Sequence, residues 1–321
     1  MNIKSVTSKK IFQAREVPLI IVVAIVVAAL TFLSPYFFTS GNFEILARQT
    51  GLALLIAVGM TFVILTAGID LSVGSVVALS SVIVGEFIIN FHWNPALSVL
   101  VSLLGALLVG YINGLFTTYL KLPAFVSTLG MLAIARGLAL GVTGGSTIEG
   151  FTNGFLYWGQ GKFLGLPVPA CVALVVAAIG IFVLRKTVFG RQVFFIGSNE
   201  SAALLSGIPV RKVKIATFMI ASFLAGLSGI LETSRLGVSQ PSAGNGYELV
   251  AIGACVIGGV SLFGGVGSVL GTILGTVLLL LIQDGLILLN ISPYWQQVFS
   301  GAIIVISVSI NLRTGKIKNK R

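Results

Sequence analysis

The sequence predicts an all-α fold of the membrane kind: a polytopic helical protein with about ten transmembrane helices and with its N- and C-termini cytoplasmic. Three observations predict it. Of the 321 residues, 56% are hydrophobic and 9% charged, where a soluble domain carries roughly 25% charge. Apolar runs close to the roughly 20 residues that cross a hydrocarbon layer about 30 Å thick recur along the whole chain. The cations are gathered at alternate connections instead of being spread evenly. Mean hydropathy is +1.07, which excludes an ordinary water-soluble enzyme, and the 39 glycines suit helices that meet backbone to backbone in lipid. Residues 1–321 read as a single transmembrane domain.

The elements follow in order. A 1–16 tail with Lys4, Lys9, Lys10 and Arg15 is predicted cytoplasmic. The first span, 17–33, is longer than the roughly 7 to 15 residues of a cleavable signal, and no A-x-A site follows, so it reads as an uncleaved helix. Spans near 46–66 and 72–90 are joined by a tight turn that holds Asp70. Span 95–119 is entered through the polar turn Asn90–Pro95, whose His92 and Trp93 read as an interfacial anchor. Span 122–142 follows Lys121, then 167–184. The longest polar connection, 185–213, precedes span 214–233, and 247–262, 268–289 and 294–311 complete the ten. Gly, Pro and polar residues interrupt the spans starting at 122 and 247, which leaves each open to being broken or re-entrant. A basic tail, 312–321, closes the chain.

Orientation comes from the cations, because positive residues resist translocation. Sixteen of the 20 Lys and Arg fall in the 1–16 tail, at Lys121, in the 185–213 loop with Lys214 just after it, and in the 312–321 tail. Only Arg48, Lys162 and Arg235 fall on the other side, and Arg136 lies within a span. The formal charge of +11 is therefore mostly topology and not a nucleic-acid surface. A weak internal repeat is present: Leu55–Gly59 recurs as Leu249–Gly253, and Val63-Ile64 with Val73–Val76 recurs as Val256-Ile257 with Val266–Val269. Such repeats are frequent in transporters.

The polar residues exclude several chemistries. No G-x-x-x-x-G-K-[ST] phosphate loop occurs, and Gly265-x-Gly267 fails as a dinucleotide fingerprint because its third glycine arrives at Gly271, one residue late. There is one histidine and no Ser/His/Asp arrangement or metal cluster, so no catalytic and no metal-ligating residue is assigned. Cys171 and Cys255, without CxxC spacing, read as buried packing residues. Gly267, Gly271 and Gly275, at four-residue intervals, read as a packing face toward a helix of the same chain or of a second copy, and Gly137 and Gly141 repeat the pattern. Asp70 is costly between two apolar spans unless hydrogen-bonded or hydrated. It reads either as a cap for the span that follows or as part of a solute path. Arg136 needs a counter-charge, with Asp70, Glu86, Glu232, Glu248 and Asp284 as candidates.

Within the long loop, Asn199 is a helix N-cap, Glu200 favours the first turn, and Gly207 with Pro209 ends the helix. Ser201, Ala202, Ala203, Leu204 and Leu205 would present a face to a partner's groove or to lipid headgroups.

At this point the residues resemble the permease subunits of bacterial ABC importers for ribose and related monosaccharides. Gly68-Ile69-Asp70-Leu71-Ser72-Val73-Gly74-Ser75 looks like that family's most recognisable string. Pro123–Gly130, the 199–209 loop helix, Gln240–Leu249 and Ile257–Gly265 follow in the family's order, so the likeness covers nearly the whole chain. It departs at Val250, where many relatives carry an acid, and at Val266, where they often carry a base. The resemblance implies a multi-pass protein of the bacterial plasma (inner) membrane that pairs with a second permease copy or a paralogue, two ATP-binding subunits and an extracytoplasmic solute-binding protein. It implies no cofactor in this chain, with ATP and Mg used by the partner ATPase. Residues 199–207, with Asn199, Glu200, Ser201, Ala202, Ala203, Leu204 and Gly207, would then couple to that ATPase. Alternating access is expected, with Asp70, Ser72, Asn113, Ser127, Thr128 and Gln283 as candidate path-lining residues, since polar groups inside spans tend to face cavities. The competing readings are a secondary transporter or channel, an ABC permease for a non-sugar solute, and a membrane-embedded enzyme.

Overall fold

The computed structural model describes residues 16–292 together with 294–296, 298, 299, 301, 302 and 305. Its helices are α1 (Val17–Leu33), α2 (Ser40–Leu65), α3 (Val73–Gly85, extended by a π-turn over Glu86–Asn90), α4 (Pro95–Thr118), α5 (Ala124–Thr143), α6 (Asn153–Gln160), α7 (Val168–Lys186), α8 (Val188–Ser198), α9 (Glu200–Leu205), α10 (Val210–Leu236), α11 (Tyr247–Ile257) and α12 (Val269–Leu288). Four two-residue strands form two small antiparallel pairs: β1 (Ile148–Glu149) with β4 (Val238–Ser239), and β2 (Lys162–Phe163) with β3 (Leu166–Pro167).

Seven of the described helices are long and apolar enough to cross a membrane: α2, α3 with its π-turn, α4, α5, α7, α10 and α12. The expected count of about ten is not reached among the described residues. Helix α1 has 17 residues and falls just short. Helix α11 has 11, about 17 Å of helix, half of a hydrocarbon core. The expected span 247–262 is thus a half-span. Most of 294–311, the residues before Glu16 and the 312–321 tail lie outside the described residues.

Helix boundaries follow local chemistry. Thr39 caps α2 by accepting from Asn42 N, and Asn94 caps α4 by accepting from Ala96 N at 2.8 Å, with Pro95 in the first turn. Helices α5 and α10 stop at Gly144 and Gly237, both left-handed, which glycine adopts without steric cost. The core forms where α10 lies along α2, α3 and α4. A Cβ at Gly110 or Gly114 of α4 would overlap the α10 backbone near Phe218 and Ile215, so the two helices meet at backbone distance, as small residues permit in lipid.

Helices α11 and α12 form an antiparallel pair in which Gly271 and Gly275 face the backbone of Gly258 and Ala254. Their neighbour is therefore in the same chain. Gly267 precedes α12 and is not on that helix face, because Ser268 is the N-cap, accepting from Gly271 N at 2.9 Å. Gly137 and Gly141 meet no atom within 4 Å.

The repeat aligns α2 with α11, and the ends of these helices correspond one residue out of its register, Val63 matching Cys255 where the sequence match pairs it with Val256. Helices α2 and α11 end in the same double-bonded cap: Gly68 N donates to Val63 O and Ala67 N to Ile64 O, as Val260 N does to Cys255 O and Gly259 N to Val256 O. Ala67 and Gly259 are both left-handed. The second block loses register, since Val73 opens α3 whereas Val266 lies three residues before α12.

The bundle has two distinct ends. At one, Arg48 donates to Gln160 O, Gln160 donates to Arg235 O, and Lys162 pairs with Glu44. The three cations expected on one side therefore meet. At the other end Arg211 stacks over Tyr119, 4.9 Å from the ring centroid, beside the 187–209 connection. Cys255 is buried as expected, but Cys171 is half-exposed, because its face of α7 turns away from the core.

Candidate functional site

The structure gathers four of the six candidate path residues around the turn between α2 and α3. Asp70 Oδ1 accepts from Ser72 N at 2.9 Å and from Ser72 Oγ at 2.6 Å, while Asn113 Nδ2 of α4 donates to Ser72 Oγ at 2.9 Å. Thr128 Oγ1 of α5 shares its proton between Ala124 O and Ile69 O, 2.9 and 3.1 Å away. Ser127 lies one residue earlier on α5. A serine two residues after an aspartate is the local geometry that lets a carboxylate fold back on the chain, and α4 and α5 then close over it. All five side chains are buried, and Asp70 Oδ2, Asn113 Oδ1 and Ser127 Oγ have no hydrogen-bond partner among the described residues. Burial pushes the Asp70 carboxyl up to about 6, against the opposing pull of the Ser72 hydrogen bonds. Asp70 thus sets the turn before α3; it does not cap the α3 amides themselves.

Gln283 is elsewhere. It lines a separate cavity of about 230 Å³ with Gln49, Arg235, Tyr247, Val250 and Gln296, between α2, α11 and α12. Val250, one of the two departures from the family pattern, is in this wall.

The loop helix forms as expected and has a companion. Asn199 Oδ1 accepts from Ala202 N at 2.9 Å to cap α9, and Ile208 N donates to Ala203 O beyond the left-handed Gly207. Ala203 packs inward, whereas Ser201, Leu204 and Leu205 face out, with Leu205 89% exposed. Lys214 of α10 donates to Glu200 at 2.6 Å. Helix α8 was not expected. Its signal was Thr187, which accepts from Gly190 N at 3.1 Å and caps it, while the apolar run Val193–Ile196 reads locally as the margin of a span.

Arg136 is held by carbonyls. Its Nη1 donates to Pro241 O at 2.8 Å and to Ala243 O at 2.7 Å, and its Nη2 lies 3.5 Å from Gly74 O. Among the five candidate acids, Glu248 is the one whose charge acts on it. The Gly- and Ser-rich segment 240–246 is non-helical before the half-span α11, and backbone of this kind is tolerated in a bilayer only where protein satisfies it. Arg136 does so for two of its carbonyls.

A family model described as branched-chain amino acid transport system / permease component matches residues 42–308. The chain is 44% identical over 289 residues to the ribose import permease protein of Bacillus subtilis (strain 168), covering 89% of each. It is 37% identical over 318 residues to the ribose import permease protein of Escherichia coli (strain K12), covering 97% of this chain and 99% of that one. To the D-allose transport system permease protein of the same strain it is 36% identical over 295 residues, covering 90% and 89%. No solved structure gives a significant match.

Proposed function

The chain belongs to the family of branched-chain amino acid transport system permease components, and from that premise we propose that it is the transmembrane permease subunit of an ATP-driven importer for ribose or a related sugar. The observation that carries the sugar over an amino acid is the naming of the relatives: those with 36 to 44% identity over about nine-tenths of the chain or more include permeases for ribose and for allose. The chain has no phosphate loop of its own, so the energy comes from partner subunits that bind ATP and Mg. The end of the bundle bearing 187–209 faces the cytoplasm, as its cations favour, and the protein sits in the bacterial plasma membrane.

Helix α9 is the docking element. Its outward Ser201, Leu204 and Leu205 enter a groove of the ATPase, while the Asn199 cap and the Lys214–Glu200 pair fix it to α10. Movement of α9 passes to α10, which lies along α2, α3 and α4, and so reaches the turn at Asp70. An extracytoplasmic binding protein delivers the sugar, and a second copy of this chain or a paralogue completes the conduit. A secondary carrier would have no use for a capped docking helix with two leucines exposed to water.

Reconstitution in vesicles with and without a partner ATPase tests this. ATP-dependent ribose uptake that vanishes when the ATPase is omitted is the expected result. Uptake indifferent to the ATPase refutes coupling and leaves the channel or secondary-carrier reading.

A further inference from the structure

A cavity of about 260 Å³ opens between α5 and the 240–246 segment, beside the first turn of α3. It is smaller than the roughly 300 Å³ at which drug-sized pockets begin, which sets its occupant at the size of one small ring. Its polar lining comes from three elements: Ser75 of α3, Arg136 of α5, and Ser242, Asn245 and Glu248 around the start of α11. Leu132 and Leu140 of α5 supply an apolar wall.

Ser75 is 1% exposed, and its Oγ has no hydrogen-bond partner among the described residues although it lines this cavity. A buried hydroxyl left unpaired costs about 1–3 kcal/mol, so it marks a place where a ligand group completes the bonding. The neighbouring Gly74 brings the acid close: a Cβ there would collide with Glu248 Oε2 and Gly244 O. Arg136 uses three of its five N–H donors on carbonyls, which leaves two for an occupant. One guanidinium and one carboxylate balance in charge, so the cavity offers donors and acceptors side by side without a net field.

We infer that this cavity is a transit subsite for a neutral polyhydroxylated ring, with Ser75 Oγ, Arg136 and Glu248 bonding its hydroxyls and Leu132 and Leu140 meeting its C–H face. The inference rests on the sugar-permease reading and adds to it the place where the sugar is held inside this chain. No aromatic side chain among the described residues lines the cavity, so none of them stacks on the sugar, which suits a site that must release what it binds. A cavity with matched charges also fits a zwitterion, and the test separates the two.

The first measurement needs no ATPase. In the full chain with Cys171→Ser to silence the half-exposed thiol, Asn245→Cys, at an exposed position of the cavity lining, is modified with a small methanethiosulfonate reagent in the presence of excess ribose or excess leucine. Slowing by ribose and not by leucine is expected. Slowing by leucine alone, or by neither, overturns the inference. The second uses vesicles holding the complete transporter with its ATPase and binding protein. Ser75→Ala, which removes an unpaired hydroxyl and so spares the fold, is expected to lower the sugar carried per ATP hydrolysed by roughly tenfold, with Glu248→Gln lowering it as well. Ratios at the wild-type value in both variants overturn the subsite. Wild-type vesicles that carry no sugar would sink the transport reading instead, while protection at position 245 still judges the cavity.

Discussion

Lys214 reaches back from the first turn of α10 to Glu200 in the first turn of α9, Nζ to Oε2 at 2.6 Å. The pair joins α9 to α10, the longest of the described helices, of 27 residues. Glu200 is largely exposed, and an ion pair of that kind is worth about 0–1 kcal/mol. Its importance lies in orientation. Lys214→Gln is expected to leave thermal stability in detergent within that range, yet to lower ATP-driven sugar uptake several-fold in vesicles with the partner ATPase. Uptake at the wild-type level would remove the pair from the coupling path.

Gly207 sits at φ +76° two residues after the end of α9, and a Cβ added there would meet no other atom within 4 Å. Space is available for a side chain, but the left-handed conformation costs a residue other than glycine about 1–2 kcal/mol, and more when it is β-branched. Gly207→Val is expected to abolish solute-stimulated ATP hydrolysis while the protein still inserts into the membrane. Unaltered stimulation would show that α9 does not need this stop.

Asp70 gives a pH dependence of defined sign. Its folded pKa of about 6 lies above the usual carboxylate value because of burial, so between about pH 4 and pH 6 the folded chain holds a proton that the unfolded chain releases. Stability from this group is present at low pH and is lost as pH rises through that window, by up to about 3 kcal/mol for a shift of two units. Asp70→Asn is expected to be at least as stable as the wild type at pH 7, with the difference shrinking as pH falls toward 4. Thermal midpoints of the two proteins in detergent across that range measure it, and a difference that grows on acidification would reverse the assignment.

The two glycine pairs should respond in opposite ways. Gly275→Leu forces α12 off Ala254 of α11, and overpacking of this kind costs about 1–3 kcal/mol. A Cβ at Gly137 would meet nothing within 4 Å in this chain, and Gly137→Leu is expected to leave the stability of the single chain unchanged. Melting of the detergent-solubilised variants distinguishes them, and equal losses would contradict the packing described for α11 and α12.

Much of this was legible in the chain itself. The membrane class, the approximate position of most spans, the grouping of Arg48, Lys162 and Arg235 at one end, and the capped helix from Asn199 to Gly207 all rest on hydropathy, charge and capping. These depend on residues within a few positions of one another, so local sequence suffices. Four of the six polar residues chosen as path candidates also came together, because Asp70 and Ser72 are neighbours in sequence and Asn113 and Thr128 are polar positions on helices that close over them.

The tertiary structure alone decided the rest. Helix α11 stops at half-length where Gly258 lies against Gly271, a packing contact that hydropathy averaged along the chain does not register. Arg136 found carbonyls of a segment more than a hundred residues away where a single acid was expected, since an irregular backbone in lipid needs donors wherever they can be supplied. Gln283 separated from the other polar residues because α12 packs on α2 and α11, far from α4 and α5. Hydropathy places a helix in the membrane, but it carries no information about which helix stands beside it; only packing between distant parts of the chain supplies that.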